Sequence, residues 1–227
     1  MLQHRERGKR LWFAVALAGA HFLFAGGLAL ASAPIIQQGD DTFSAPSYTI
    51  DQGEVAQLQV SSGSHNVTAH QKGPDGGALF RSPTISGGAT GVQGTQYLST
   101  GDYTFFCTVH PTTMQATLHV SGSGAPQARP SASVSVRSKK LAKVSKKGIL
   151  VAITTSTKID GVSLIAKLGK ARIGKANGLS LAAGRQFDVL KISKAGKRRL
   201  RKKSKAKVTV TATIPFGSPA TAKSKLT

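Results

Sequence analysis

The chain has 227 residues, of which 40% are hydrophobic, a single cysteine, Cys107, and a formal net charge of +22. That apolar fraction excludes a disordered chain and supports one large core or two small ones. A lone cysteine excludes an intramolecular disulfide and leaves its thiol free for other chemistry.

The charge is divided unevenly. Residues 34–123 carry Lys72 and Arg81 against six acidic residues, a net of −4. Residues 124–227 carry 25 Lys and Arg against Asp160 and Asp188, a net of +23. Two domains of opposite character are expected, and the basic balance belongs to the second alone.

The chain opens as an export signal. His4 to Arg10 is a basic segment, Leu11 to Leu30 is an apolar run, and Ala29-Leu30-Ala31 and Ala31-Ser32-Ala33 supply small residues of the cleavage pattern. Cleavage after Ala31 is favoured, because cleavage after Ala33 leaves Pro34 beside the scissile bond. The alternative is an anchor over residues 11–30, since the run approaches the roughly 20 residues that span a bilayer. Residues 1–33 are therefore assigned to a signal or anchor, with the rest of the chain exported: periplasmic, otherwise extracytoplasmic, or secreted.

Residues 34–122 read as short strands with turns between them. Thr42–Ser44 and Tyr48–Ile50 are extended, and Val55 to Val60 alternates strictly. Ser61 to Ser64 turns, and His65 to Ala69 resumes extension. Lys72 to Gly77 and Ser86 to Gly88 are loops. Gln93–Tyr97, Tyr103–Cys107 and Gln115–Val120 complete a β-sandwich of six to eight strands.

The chemistry concentrates in Tyr103-Thr104-Phe105-Phe106-Cys107-Thr108-Val109-His110-Pro111-Thr112-Thr113-Met114. Alternation puts Tyr103, Phe105 and Cys107 on one face, so the thiol ends an inward apolar row. A thiol, an imidazole and a thioether on one short loop suit copper, and His65 in Ser64-His65-Asn66-Val67 is the candidate third strong donor. Two His, one Cys and a Met form the type 1 electron-transfer set. Zinc could use Cys107 and the two His, but the Met favours copper. Cys107 with His110 as a nucleophile pair lacks an orienting residue, so no enzyme is expected. His70 and His119 are expected to face solvent.

With these residues in this order, residues 40–121 resemble a cupredoxin of the plastocyanin and amicyanin kind. The resemblance implies a Greek-key sandwich holding one copper ion through His65, Cys107, His110 and Met114. It also implies that Asn66 hydrogen-bonds across to the Cys107 loop, and that His110, with Pro111, forms the electron exit. The Thr108 or Val109 N–H is expected to donate toward the Cys107 sulfur. Three residues separate His110 from Met114, between the two of amicyanin-like loops and the four of plastocyanin-like ones.

Residues 123–133 are rich in Gly, Ser, Pro and Ala and read as a flexible linker. Residues 134–227 loosely resemble bacterial Ig-like or fibronectin-like modules. Strands are expected at 133–136, 149–153, 162–166, 186–192 and 207–213, with turns at Gly148, Asp160-Gly161, Asn177-Gly178 and Gly184, and a short basic helix or turn over 193–203 whose Ala195 and Leu200 face inward. The fold class is therefore all-β: a cupredoxin sandwich followed by a small basic Ig-like sandwich.

Lys197, Arg198, Arg199, Arg201, Lys202 and Lys203 are candidate polyanion contacts. Behind an export signal, an anionic envelope polymer or membrane surface is a better partner than nucleic acid, which is further disfavoured because no aromatics interleave the charges. The expected function is single-electron carriage between redox proteins outside the cytoplasmic membrane. Copper buffering, or a surface-interaction role, is the alternative.

Overall fold

Alternating burial along short strands builds two β-sandwiches in a computed structural model that describes residues 35–39 and 41–227. The expected export segment lies outside the described residues. In the first sandwich, β1 (Ile35–Gly39), β2 (Thr42–Phe43), β4 (Gln57–Val60) and β6 (Gly88–Gly91) form one sheet in the order β2-β1-β4-β6. The facing sheet takes β3 (Ser47–Gln52), β5 (Thr68–Ala69), β7 (Gly101–Phe106) and β8 (Gln115–Gly124) in the order β3-β8-β7-β5. Parallel β1–β4 and β3–β8 pairings interrupt the antiparallel ladders, so the strands are not joined by simple hairpins.

Leu58 and Val60 on β4, Phe105 on β7 and Leu118 and Val120 on β8 turn inward and are fully or almost fully buried. Phe105, two residues before Cys107, packs edge-on to Phe43, with ring centroids 4.9 Å apart. A buried phenylalanine of this kind contributes roughly 3–5 kcal/mol against Ala.

The second sandwich pairs a three-stranded sheet, β13-β10-β9, with a four-stranded one, β12-β11-β14-β15. Its strands are β9 (Ala132–Val136), β10 (Ile149–Thr155), β11 (Ile159–Leu168), β12 (Ala171–Leu181), β13 (Gly184–Leu190), β14 (Ala206–Thr213) and β15 (Ala220–Leu226). Val151, Ile153, Leu164, Val208 and Val210 lie in its separate core. Two short helices, α1 (Leu141–Lys147) and α2 (Lys194–Arg201), pack beside the sheets.

Several local expectations are corrected. Residues 95–97 form a 3-10 turn, not a strand, because Gly94 is left-handed (φ 104°) and its N–H is taken by the Gln96 side chain. Asp160-Gly161 and Asn177-Gly178, read as turns between strands, lie inside the long, bulged β11 and β12. In α2, Ser193 caps the N-terminus as its side chain accepts from the Gly196 N–H. Leu200 is buried there as expected, but Ala195 is exposed and Gly196 buried in its place. A side chain at Gly196 would meet the Ile173 carbonyl at 2.6 Å, so the helix lies against β12 at that point.

The stretch read as a flexible linker is anchored. β8 continues to Gly124, the Gln127 N–H donates to the Gln96 carbonyl at 2.8 Å, and Arg129 donates to the carbonyls of Phe216 and Tyr97. Phe216, at φ 60°, lies under the Arg81 guanidinium, 4.2 Å from the ring centroid, and its N–H donates to Asp75 at 3.0 Å. Arg81 also donates to that Asp75 oxygen at 3.1 Å. Burial alone would raise the Asp75 carboxyl, but donation from Phe216, Arg81 and Gly77 outweighs it and holds the group below its ordinary value.

Candidate metal centre

β7 delivers Cys107 one step beyond its last residue, at the end of the buried face that includes Phe105. The loop that follows closes on itself. Cys107 N–H donates to the Met114 carbonyl and Met114 N–H donates to the His110 carbonyl, each at 3.0 Å. Pro111 follows His110 with its fixed φ, which suits the turn that brings Met114 back beneath the loop.

His65 arrives from the other side, on a stretch bridged to Ile85 by two backbone hydrogen bonds of 3.0 Å. The preceding turn needs Gly63. Its φ is +71°, and a Cβ there would lie 2.6 Å from His65 Nε2.

These two segments bring all four expected ligands together. Donor atoms of His65, Cys107 and His110 lie within 4.8 Å of one another. His65 Nδ1 is 4.0 Å from Cys107 Sγ and 3.1 Å from Met114 Sδ. The His65 and His110 ring centroids are 4.9 Å apart. His65, Cys107 and Met114 are buried, whereas the His110 side chain is 28% exposed, so His110 alone among them reaches the surface. Exposed Val109 and Pro111 adjoin it.

The protonation pattern suits a cation. Burial, and then the proximity of His110, lower the His65 pKa against the opposing effects of Asp41 and a hydrogen bond to the Ser62 backbone. His65 is therefore neutral at pH 7 with Nδ1 directed at the two sulfurs. His110 Nε2 lies 3.3 Å from Asp41, while its buried Nδ1 has no hydrogen-bond partner. Buried polar atoms are almost always satisfied, and a nitrogen left bare beside a thiol and a second imidazole fits a missing metal bond. One thiol, two imidazoles and a thioether match copper in softness and number.

Asn66 ties the two ligand segments together. Its Nδ2 donates to Thr108 Oγ1 at 2.7 Å and to Thr84 Oγ1 at 2.8 Å, and its Oδ1 accepts from the Thr108 N–H at 3.0 Å. That last bond corrects half of one expectation: of the two N–H groups expected to donate toward the Cys107 sulfur, that of Thr108 serves Asn66. Contacts of this kind orient metal ligands and tune the metal.

His70 and His119 lie outside the cluster. His70 stacks on Phe106 at 4.6 Å, and His119 pairs with exposed Asp102 at 2.6 Å. Sequence reasoning missed Gly63, Thr84 and Asp41, whose roles depend on neighbours remote in the chain. Only the left-handed turn around Gly63 carried a local signal. The candidate polyanion contacts lie on and just after α2, where Arg199, Lys202 and Lys203 share a groove with Lys205 and Lys207.

No family model matches the sequence, and no curated protein matches it. Among solved structures, it is similar to amicyanin from Paracoccus versutus, with 28% identity over 40% of this chain and 83% of that one, at a TM-score of 0.33. It is also similar to a Cu(I) form of a methionine-to-alanine amicyanin variant (22% identity, 39% and 82% of the two chains, TM-score 0.33). An oxidised proline-to-glycine amicyanin variant is similar too (21% identity, 43% and 90%, TM-score 0.33). Each of these likenesses covers about two fifths of this chain.

Proposed function

We propose that the protein is a non-enzymatic type 1 copper protein that carries single electrons outside the cytoplasm. In this reading the basic second sandwich holds it against an anionic component of the envelope. The observation that carries the proposal is the convergence of the bare His110 Nδ1 with His65, Cys107 and Met114 in a buried centre. Copper, when bound, supplies a one-electron Cu(I)/Cu(II) couple. His65, Cys107 and His110 would hold it, with Met114 as a weaker fourth donor.

The chain's own residues supply the rest. Asn66 and the backbone bonds of the 107–114 loop keep the donors in place before any metal arrives. A set imposed by the sandwich cannot relax far between oxidation states, which lowers the reorganisation that accompanies electron transfer. Buried Phe105 and Met114 close off the interior. The electron would leave through His110, whose exposed edge is bordered by Val109 and Pro111, toward redox proteins that dock there.

Among the described residues no helix is long and apolar enough to cross a membrane. Export therefore rests on the basic and apolar pattern of residues 4–33.

The test is a Cu(II) titration followed by visible absorption, with Cys107→Ser as control. An intense blue thiolate-to-copper band, absent in the control, with reversible redox and fast self-exchange, is expected. A colourless adduct, or slow exchange, would instead assign the centre to copper buffering.

A further inference from the structure

The outer face of the β9-β10-β13 sheet carries apolar side chains that its own sandwich does not bury. The register arranges that face in rows. Val189 lies opposite Leu150, whose carbonyl accepts from the Arg137 N–H. Phe187 and Ser135 flank Ala152, and Arg185 and Ser133 flank Thr154. Phe187 is 60% exposed, Val189 47% and Leu150 38%. The other exposed large hydrophobic among the described residues is Val109, at the metal centre.

Cations surround this apolar patch. The Arg185 guanidinium lies 5.3 Å from the centre of the Phe187 ring. Arg137, Lys139, Lys140, Lys143 and Lys147 share a depression with Leu150 and Val189. The one acidic residue on β13, Asp188, accepts the Val189 N–H at 2.7 Å, which withdraws that donor from any strand added at this sheet edge.

The opposite sheet is different. Lys167 faces Arg172 across β11–β12 and Lys207 faces Lys225 across β14–β15, with no exposed large apolar side chain between them. That face can attract anions only by charge.

Apolar side chains inside a lysine and arginine ring suit the headgroup region of an anionic bilayer, where insertion and electrostatic attraction add. Protein interfaces are depleted in lysine, and single-stranded nucleic acid needs several stacking aromatics. We propose that this face docks on an anionic lipid bilayer. Leu150, Phe187 and Val189 enter the acyl boundary, while Arg137, Arg185 and the lysines of and before α1 engage phosphates. The proposal rests on the anchoring half of the preceding reading and is independent of its copper half.

The test uses residues 33–227, which form a compact unit by themselves and contain no tryptophan, the single one being Trp12. Phe187→Trp and, on the opposite sheet, Thr221→Trp place one reporter on each face. Phosphatidylcholine vesicles with phosphatidylglycerol should blue-shift the Phe187→Trp emission and expose it to brominated-lipid quenching, leaving Thr221→Trp unchanged. Phe187→Ser should weaken binding about tenfold, and pure phosphatidylcholine should bind far more weakly. Equal shifts at both positions, no vesicle binding, or full competition by soluble polyphosphate would each overturn the proposal. A normal circular dichroism spectrum for each variant, and an intact copper band, separate these outcomes from misfolding and from failure of the copper reading.

Discussion

Asn66 and Thr108, 42 residues apart in the chain, exchange two hydrogen bonds: Asn66 Nδ2 donates to Thr108 Oγ1 at 2.7 Å and the Thr108 N–H donates to Asn66 Oδ1 at 3.0 Å. Each residue is next to a candidate ligand, so the pair links the His65 segment to the Cys107 loop. Asn66→Ala removes both bonds and also those to Thr84 and Thr68. Copper affinity should fall about 10–100-fold, measured by competition with a chelator of known strength. Unchanged affinity would mean that the loop's own backbone bonds suffice.

Gly63 and His65 are coupled sterically. Gly63→Ala adds a Cβ 2.6 Å from His65 Nε2 at a φ of +71°, so His65 must move or the turn must open. The expected result is a weakened or shifted blue band with a melting temperature lowered by a cost of about 1–3 kcal/mol. Gly76 has φ +81°, and a Cβ added there would meet no heavy atom within 4 Å. Gly76→Ala should therefore lose stability from backbone strain alone and leave the spectrum as it is.

Met114 is buried with its sulfur 3.1 Å from His65 Nδ1. Met114→Leu keeps volume and removes the donor. Copper should still bind, and the reduction potential should rise, because loss of a weak axial donor disfavours the oxidised ion. Voltammetry of the two proteins decides this, and a lowered potential would place Met114 outside the ligand set.

Asp75 couples the two sandwiches to pH. Its carboxyl is held below the ordinary value of about 3.9 despite burial, through Phe216, Arg81 and Gly77. A depressed carboxylate contributes stability that is fully present above its unfolded value and is lost as pH falls through the folded one. Below about pH 4 the junction should loosen, seen as faster hydrogen exchange at Phe216 and Tyr97. Asp75→Asn should show that loosening already at pH 7, at a cost of about 1–3 kcal/mol. Equal exchange in both proteins at pH 7 would remove Asp75 from the junction.

Much of the metal centre was legible because its parts are local. Cys107, His110 and Met114 fall on one short loop, and the alternation of Tyr103, Phe105 and Cys107 already aimed the thiol inward. The change in charge sign and the short alternating strands pointed to two sandwiches. The stretch 93–97 looks like a strand in sequence, but the left-handed Gly94 and the Gln96 side chain override that pattern. β12 is hidden because bulges let it pass through Asn177-Gly178, a pair that ordinarily turns the chain.

By itself, then, the sequence determined which donors are present, their order, and the alternation that builds an all-β chain, since these depend on near neighbours and side-chain chemistry. Tertiary structure alone decided that Asn66 meets Thr108, that Gly63 underlies His65, and that Phe216 reaches Asp75, 141 residues away. It also decided that Leu150, Phe187 and Val189 share one outer face. Each of these depends on how distant strands pair and pack, and periodicity within a single strand cannot report which other strand lies beside it.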